Sequence, residues 1–268
     1  MKNKIRGEFI LKFLIVGDVC GRPGREAFRK YVPELKKEHN IDVVVVNGEN
    51  IAGGRGISRK TLDEIYRAGA DIVTSGNHIW DKKEIVSFID DEPFLIRPAN
   101  YPEGAPGKGY CIYPFKAKNI GVINVSGRTF MPPMDCPFQK VDEILKEIKN
   151  QCDIILVDIH AEATSEKIAM GFYLDGKVTC VVGTHTHVQT ADNRILPKGT
   201  AYISDLGMVG PYNSSLGINV NNAIDKFITC RPVRFEMAEG PNIFSAVVLE
   251  LAEDNSVKSF ERILFNEE

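Results

Sequence analysis

Five short apolar runs of the sequence each lead into side chains that can bind a metal ion. The runs are rich in valine and isoleucine and are bounded by glycine and polar residues, a pattern typical of buried strands. The side chains that follow them are Asp18, Glu49, Asn50, Asn77, His78, His160, His185 and His187. In open α/β sheets, ligands collect outside the carboxyl ends of the strands. If the five runs lie side by side, the sequence predicts one cleft with oxygen and nitrogen ligands for two metal ions.

The histidines are sorted along the chain in a way that supports this interpretation. Four of the five histidines follow predicted strands, whereas histidines buried at random in a core would not sort in this way. The exception is His39, which lies at the polar end of a predicted helix, where helix capping is its expected role.

Bulk composition is that of an ordinary globular protein. The chain has 268 residues, 43% of them hydrophobic and 26% charged, which suits one compact domain over residues 11–268. Residues 1–10 are expected to form a loose N-terminal head or to be a cloning remnant. A net charge of −3 argues against sequence-independent binding to a nucleic acid duplex, which usually needs a basic face.

Localisation follows from the cysteines and the apolar runs. The six cysteines form no CxxC pair, which favours reduced thiols in a cytoplasmic protein. The basic N-terminus and the apolar run 9–16 resemble a signal peptide, but Lys12 interrupts the run and no small-residue cleavage site follows. No run approaches the roughly 20 residues of a membrane span, so no membrane partner is expected.

Strands and helices alternate along most of the chain, which predicts an α/β fold. Helices are predicted at 24–38, 59–67, 138–149, 164–174 and 217–228. Strands are predicted at 11–16, 43–47, 72–75, 109–114, 120–125, 154–159, 178–182, 200–204, 244–251 and 257–264. Ser58 is a predicted cap of its helix, and Glu162, Thr164 and Ser165 are predicted to form another N-cap.

Several motifs together resemble the calcineurin-like metallophosphoesterase superfamily, in particular its YmdB-type bacterial branch. The stretches are Gly17–Gly21 (GDVCG), Asn47–Asn50 (NGEN), Gly76–His78 (GNH), His160–Lys167 (HAEATSEK), Gly183–His187 (GTHTH) and Ser204–Met208 (SDLGM). Each motif alone is weak, but the ordered set spans about residues 11–265. The resemblance implies an α/β/β/α sandwich with mixed sheets flanked by helices.

The resemblance also implies two metal ions, iron or manganese, bridged by Glu49. The first ion would be held by Asp18, Glu49, Asn50 and His187. The second ion would be held by Glu49, Asn77, His160 and His185. Carboxylate, carboxamide and imidazole ligands suit hard or borderline divalent cations, with no thiolate required.

The sequence departs from the superfamily pattern at two points. Cys20 stands where the usual GDxH block has a histidine, and the bridging residue is Glu49 in place of aspartate. Asn50 is the expected replacement for the missing imidazole. The alternative is Cys20 as a thiolate ligand, although a small buried apolar residue is the commoner role of a cysteine.

His78 has no ligand duty in the family pattern and is the predicted general acid. An imidazole titrates near neutral pH, and phosphodiester cleavage needs a proton for the leaving oxygen. The alternative is a group that orients a ligand. Arg22, in a glycine-rich turn without a Walker Lys-Ser/Thr, and Arg128 are candidate phosphate contacts, while Phe130 is a candidate base-stacking surface. Surface or packing roles are about equally expected for Arg128 and Phe130, and Asp158 could orient a ligand or merely end its strand.

The function that the resemblance implies is hydrolysis of 2′,3′-cyclic nucleotides to nucleoside 3′-phosphates through a metal-bridging hydroxide. Alternatives are a 3′,5′-cyclic nucleotide phosphodiesterase, a nucleotidase or an RNA nuclease acting on RNA ends. A different class is a regulatory module that keeps the metals and binds RNA or protein. A zinc peptidase is disfavoured because no HExxH motif is present. Self-association into a homo-oligomer stays open.

Overall fold

The predicted alternation of strands and helices is present in the computed structural model, which describes residues 10–267. The expected loose head at residues 1–10 lies outside this range, apart from Ile10. The helices are α1 (Gly21–His39), α2 (Arg59–Arg67), α3 (Pro137–Ile148), α4 (Thr164–Leu174) and α5 (Val220–Thr229). The strands are β1 (Leu11–Val16), β2 (Asp18–Val19), β3 (Val43–Asn47), β4 (Ile72–Thr74), β5 (Tyr110–Phe115), β6 (Lys118–Ser126), β7 (Ile154–His160), β8 (Cys180–Thr184), β9 (Arg194–Ile195), β10 (Ala201–Ile203), β11 (Met208–Pro211), β12 (Asn242–Leu251) and β13 (Val257–Asn266).

The strands form two mixed sheets. The first has the order β2-β11-β12-β1-β3-β4, with β13 also paired to β12, and the second has the order β5-β6-β7-β8-β10-β9. Strands β1, β3 and β4 are parallel to one another, as are β6, β7, β8 and β10. The five metal-binding runs therefore do not lie side by side in one sheet, because three belong to the first sheet and two to the second. The cleft forms where the carboxyl ends of both sheets meet.

Three apolar clusters hold the layers together. Phe28 of α1 and Leu62 of α2 pack against the outer face of the first sheet. Phe13 of the first sheet and Leu156 of the second belong to the cluster between the sheets. Met170 of α4 packs on the outer face of the second sheet, with residues of α3. The order of layers is helices, sheet, sheet, helices, as the family resemblance implied.

Local sequence explains why several elements begin where they do. The valines of β3 are buried throughout, as expected for a parallel strand covered on both faces. Ser58 caps α2 as predicted, and Thr61 completes a reciprocal capping box. The predicted cap of α4 is wrong, because Ala163 occupies the N-cap position and no side chain caps it. Glu162 Oε2 instead lies 3.2 Å from His185 Nε2.

The remaining differences are at element ends and in short strands. Helix α1 begins at Gly21, three residues before the predicted start, and β8 begins at Cys180 and not at residue 178. The short strands β2, β9 and β11 were not predicted, because two to four residues carry no readable periodicity. Within residues 10–267, no helix has the length and apolar character needed to cross a lipid bilayer.

Candidate metal centre

A cavity of about 420 Å³ lies where the strand ends of both sheets meet, and its lining includes Glu49, Asn50, His78, His185 and His187. From the first sheet, Asp18 lies in β2, Glu49 and Asn50 follow β3, and Asn77 and His78 follow β4. From the second sheet, His160 ends β7, and His185 and His187 follow β8. The structure thus brings together all seven predicted ligands and His78.

Glu49 belongs to two separate trios of ligand groups. Glu49, His160 and His185 form one trio, and Asp18, Glu49 and His187 form the other, with the ligand atoms of each within 4.8 Å of one another. Glu49 Oε2 lies 3.1 Å from His160 Nε2, and His185 Nδ1 lies 3.0 Å from the same nitrogen. Donor atoms that surround one small cation have separations of this size.

Two carboxamides complete the trios. Asn77 Oδ1 lies 3.0 Å from His160 Nε2. Asn50 Nδ2 lies 3.0 Å from Glu49 Oε1 and 3.2 Å from His187 Nε2. A flip of the carboxamide exchanges its oxygen and nitrogen, so Asn50 Oδ1 can occupy this position in a metal-bound centre. The donors grouped in this way are the two sets that the family resemblance implies.

Two observations indicate that the site is built for cations. Asp18 Oδ1 is fully buried without a hydrogen-bond partner among the described residues, and burial raises the pKa of Asp18 to about 7. Gly76 leaves space beside the trio of Glu49, His160 and His185. A β-carbon at position 76 would overlap Glu49 Oε2 and His160 Nε2. A buried carboxylate oxygen without a partner is costly unless a proton or a metal ion satisfies it. The oxygen and nitrogen donors fit divalent metals.

Electrostatics holds two of the ligands in their metal-binding forms. Burial acts to raise the pKa of Glu49, but the adjacent His160 outweighs it and keeps that pKa below its ordinary value. Burial, followed by repulsion from His160, lowers the pKa of His185 to about 3. Metal ligation requires an ionised carboxylate and a neutral imidazole. Both groups therefore need no change of protonation to bind a metal at neutral pH.

Asp158 fixes the orientation of His160 through Thr184. The Thr184 hydroxyl donates to Asp158 Oδ1 at 2.8 Å and lies 2.9 Å from His160 Nδ1. A hydroxyl that donates to Asp158 can accept a hydrogen bond from the Nδ1–H of His160, which leaves the lone pair of His160 Nε2 directed at the trio. Of the two predicted roles of Asp158, orientation of a ligand is the one that its contacts support.

The loop that carries His185 and His187 is held by a buried ion pair. His185 and His187 have φ angles of 96° and 62°, in the left-handed region that side chains rarely adopt. Lys167, only 1% exposed, donates to Thr184 O at 2.8 Å and to Asp205 Oδ2 at 2.6 Å. Asp205 Oδ2 also accepts from the backbone N–H of Thr186 at 3.0 Å. These contacts fix the backbone on both sides of His185 and offset its conformational strain.

His78 lines the cavity but belongs to neither trio. His78 Nδ1 lies 3.0 Å from Asp81 Oδ2, and its backbone N–H donates to Glu49 Oε2 at 3.2 Å. Cys20 is buried beside the cavity, where its Sγ donates to Asp18 O at 3.5 Å and lies 3.7 Å from His187 Nδ1. Asn50 lies within 3.2 Å of both Glu49 Oε1 and His187 Nε2, whereas Cys20 approaches only His187 Nδ1, so Asn50 is the better placed of the two candidate ligands.

The three predicted substrate contacts lie outside the cavity lining. Arg22 forms an ion pair with Glu26 and lines a separate groove. Arg128 and Phe130 lie in the loop after β6, where the Phe130 side chain is 90% exposed. Arg55, which no motif singled out as a contact, does line the cavity.

Sequence reasoning assigned no role to four residues that shape the site. These residues are Asp81, Thr184, Lys167 and Asp205. Asp81 follows His78 by three residues in a turn, a spacing that could have suggested the contact. Lys167 and Asp205 are 38 residues apart and occur in two of the quoted motifs, but no local pattern joins them.

Comparison with known proteins places the chain in a family. A model of the family described as YmdB-like protein matches residues 14–263. The chain belongs to the YmdB-like family. A relative from Bacillus subtilis (strain 168), named 2′,3′-cyclic-nucleotide 2′-phosphodiesterase, is 52% identical over 260 residues, which cover 96% of this chain and 98% of the relative.

Solved structures agree with this family and fold. A hypothetical protein from Thermus thermophilus superposes with a TM-score of 0.91 at 40% identity, covering 96% of this chain and 100% of that one. A novel phosphatase from Mycoplasma pneumoniae gives 0.92 at 34% identity, covering 97% and 95%. A putative 5′-nucleotidase structure from Staphylococcus aureus, at 17% identity and a TM-score of 0.61, shares the fold alone, covering 95% of this chain and 54% of that one. The architecture is that of the calcineurin-like metallophosphoesterases.

Replacing Lys167 with methionine should strongly destabilise the fold. The substitution leaves the carboxylate of Asp205 buried without its cation, which typically costs about 3–5 kcal/mol. We expect a loss of that size in the free energy of unfolding, measured by urea denaturation followed by circular dichroism. Lys198→Met, at an exposed lysine, should change the free energy by no more than about 0.5 kcal/mol. Equal effects of the two substitutions would contradict the assigned role of the ion pair.

Proposed function

We propose that the protein is a two-metal phosphodiesterase that hydrolyses 2′,3′-cyclic nucleotides to nucleoside 3′-phosphates. The observation that carries the proposal is the membership of Glu49 in both ligand trios, with the His78–Asp81 pair at the same cavity. Family membership and 52% identity to the Bacillus subtilis phosphodiesterase support the class of phosphoric diester hydrolase. The six cysteines are free, which fits a cytoplasmic enzyme.

The proposed first metal site consists of Asp18, Glu49, Asn50 and His187, and the second of Glu49, Asn77, His160 and His185. Iron or manganese suits this set of imidazoles, carboxylates and carboxamides. When bound, such ions supply charge stabilisation to a phosphate and make water a competent nucleophile at neutral pH. The protein supplies the rigid placement of the donors at the ends of two sheets.

His78 is proposed to donate the proton that the leaving oxygen requires. Water adds to phosphorus and releases one proton to solvent, the bond from phosphorus to the 2′-oxygen breaks, and His78 gives a proton to that oxygen and then regains one from solvent. Because Nδ1 of His78 faces Asp81, the carboxylate orients the ring and directs Nε2 away from itself. Arg55 lines the cavity and can contact the phosphate, while Arg128 and Phe130 remain proposed contacts beyond it.

Substrate class is tested by comparing three nucleotides in the presence and absence of added manganese. We expect turnover of 2′,3′-cyclic adenosine monophosphate with the 3′-phosphate as product, identified by chromatography. Turnover of the 3′,5′-cyclic nucleotide or of the 5′-monophosphate should be much slower. Preferential hydrolysis of either of these would overturn the proposed specificity. An absence of hydrolysis of all three with manganese present would favour a binding module.

Replacing Glu49 with alanine should remove both metal ions. Among the described residues, Glu49 alone belongs to both trios, so its loss weakens both sites together. Metal analysis of the purified wild-type protein should approach two equivalents, and that of Glu49→Ala should approach none. Glu143→Ala, at an exposed carboxylate of α3, should retain the wild-type content. A single tightly held ion in an active wild-type enzyme would refute the bridged arrangement.

The choice between Asn50 and Cys20 is testable by metal affinity. Asn50→Ala should weaken metal binding by roughly 10–100-fold, the range observed when groups that support a metal site are removed. Cys20→Ala should leave the affinity close to wild type, because the thiol lies outside both trios. Titration of the metal-free proteins with manganese measures both effects. A greater loss of affinity in Cys20→Ala would reverse the assignment.

Replacing His78 with asparagine should impair the chemical step and leave the metals in place. Loss of a general acid typically lowers the rate by about 10²–10⁴. The loss should shrink for a p-nitrophenyl ester, because p-nitrophenolate departs without protonation. His39→Asn, the same change at the distant end of α1, should have no effect on turnover. An equal loss across leaving groups would mean that His78 positions the phosphate, and loss of a metal would make it a structural support.

A further inference from the structure

A groove of about 540 Å³ lies between α1 and α2, separate from the cavity of the metal centre. Its cationic lining residues are Arg22, Arg25, Arg29, Lys60 and Arg67. The carboxylates in its lining are Glu26 and Glu64. The groove therefore has an excess of three positive charges in a chain whose net charge is −3. Such a concentration of one sign in a concave surface attracts anions.

The excess charge has no counterpart within the part of the chain that the structure describes. Arg22 pairs with Glu26 at 2.8 Å, and Arg25 pairs with Glu64 at 2.6 Å. These pairs use both carboxylates. Arg29, Lys60 and Arg67 are exposed and form no ion pair with any residue between 10 and 267. Three solvated cations are thus available to an anionic ligand.

The chain segments that lead into both helices connect the groove to the metal centre. Helix α1 starts directly after Cys20, which lines the cavity, and the Gly21 N–H donates to Asn50 O at 2.9 Å. Arg25 Nη1 donates to Ile51 O, the residue after Asn50. Gly54 and Arg55 of the loop that leads into α2 line the cavity as well. Both helices that form the groove therefore start beside the site.

The dimensions suit a ligand longer than a mononucleotide. Arg22 and Arg29 are seven residues apart on α1, which corresponds to about 10 Å along the helix axis. This length exceeds the separation of successive phosphates along a nucleic acid strand, so the cations span more than one phosphate. No aromatic side chain is among the described residues that line the groove, so the contacts available are to phosphates and not to bases.

We propose that the groove between α1 and α2 binds the phosphate backbone of a single-stranded oligoribonucleotide whose terminal 2′,3′-cyclic phosphate occupies the metal centre. A cyclic phosphate ends the strand at its 3′ side, so the preceding phosphates extend from the cavity along the groove. The groove thereby favours RNA ends over free cyclic nucleotides. This inference rests on the proposed function, whose substrate class it extends.

The test compares two substrates in wild type and in two matched double variants. The substrates are 2′,3′-cyclic adenosine monophosphate and a hexa-adenylate ending in a 2′,3′-cyclic phosphate. Arg29→Gln combined with Arg67→Gln removes two unpaired cations of the groove. Lys37→Gln combined with Lys146→Gln removes two exposed lysines outside the groove, with the same change in net charge.

The wild-type KM for the hexamer should be lower than for the mononucleotide and should rise with salt. For a single strand, each phosphate contact adds about 0.7 to the slope of log KM against log salt concentration. The groove variant lacks two cations, so its slope should be smaller by about 1.4. Between 50 and 200 mM salt, the wild-type KM should rise about sevenfold more than that of the groove variant. Turnover of the mononucleotide should be the same in all three proteins.

Two results would overturn the inference. One is a hexamer KM that is unchanged in the groove variant, and the other is an equal effect of the control variant, which would reflect net charge alone. If the wild type hydrolyses neither substrate with manganese, the proposed function fails. Fluorescence anisotropy with a labelled hexamer ending in a 3′-hydroxyl then still tests the groove, because weaker binding by the groove variant alone supports it and equal binding refutes it.

Discussion

The burial of two carboxylates beside three imidazoles is the constraint on which the rest of this structure depends. Asp18 and Glu49 are at most 1% exposed, and His160 is fully buried between them. Removing ionised groups from water is costly unless opposite charges or hydrogen bonds compensate. The imidazoles compensate Glu49, but one oxygen of Asp18 stays without a partner among the described residues. The side chains therefore leave one buried oxygen unsatisfied, and the proposed cations would satisfy it.

The two-sheet architecture makes such a cluster possible. Strands β3 and β7 are buried along their whole length, so the residues at their carboxyl ends have fixed positions. Neither sheet alone supplies enough donors, since the carboxylates come from the first sheet and the imidazole ligands from the second. The interface between the sheets thus determines the distances within each trio, and the apolar cluster between them keeps these distances constant. The left-handed backbone that directs His185 and His187 into the cavity is disfavoured, and the polar contacts of Lys167 and Asp205 beneath it balance that strain.

The sequence by itself determined the elements and the chemistry of the site. Helices α2 and α4 have the predicted bounds, and the hairpin of β12 and β13 is antiparallel as expected, because hydrophobic periodicity acts locally. The ligand types were readable because each follows an apolar run directly. Their roles as ligands came from the family resemblance, which the comparisons support at the level of the family.

Only the tertiary structure decided how those pieces meet. The division of the five runs between two sheets depends on long-range strand pairing, which no local pattern encodes. Glu162 pairs with His185 and leaves the α4 cap unfilled, because a contact across the cavity outweighs a local preference. The contact of Lys167 with Asp205 and the groove between α1 and α2 also arise only from tertiary packing. Side chains far apart in sequence acquire a shared environment only when packing fixes the distance between them.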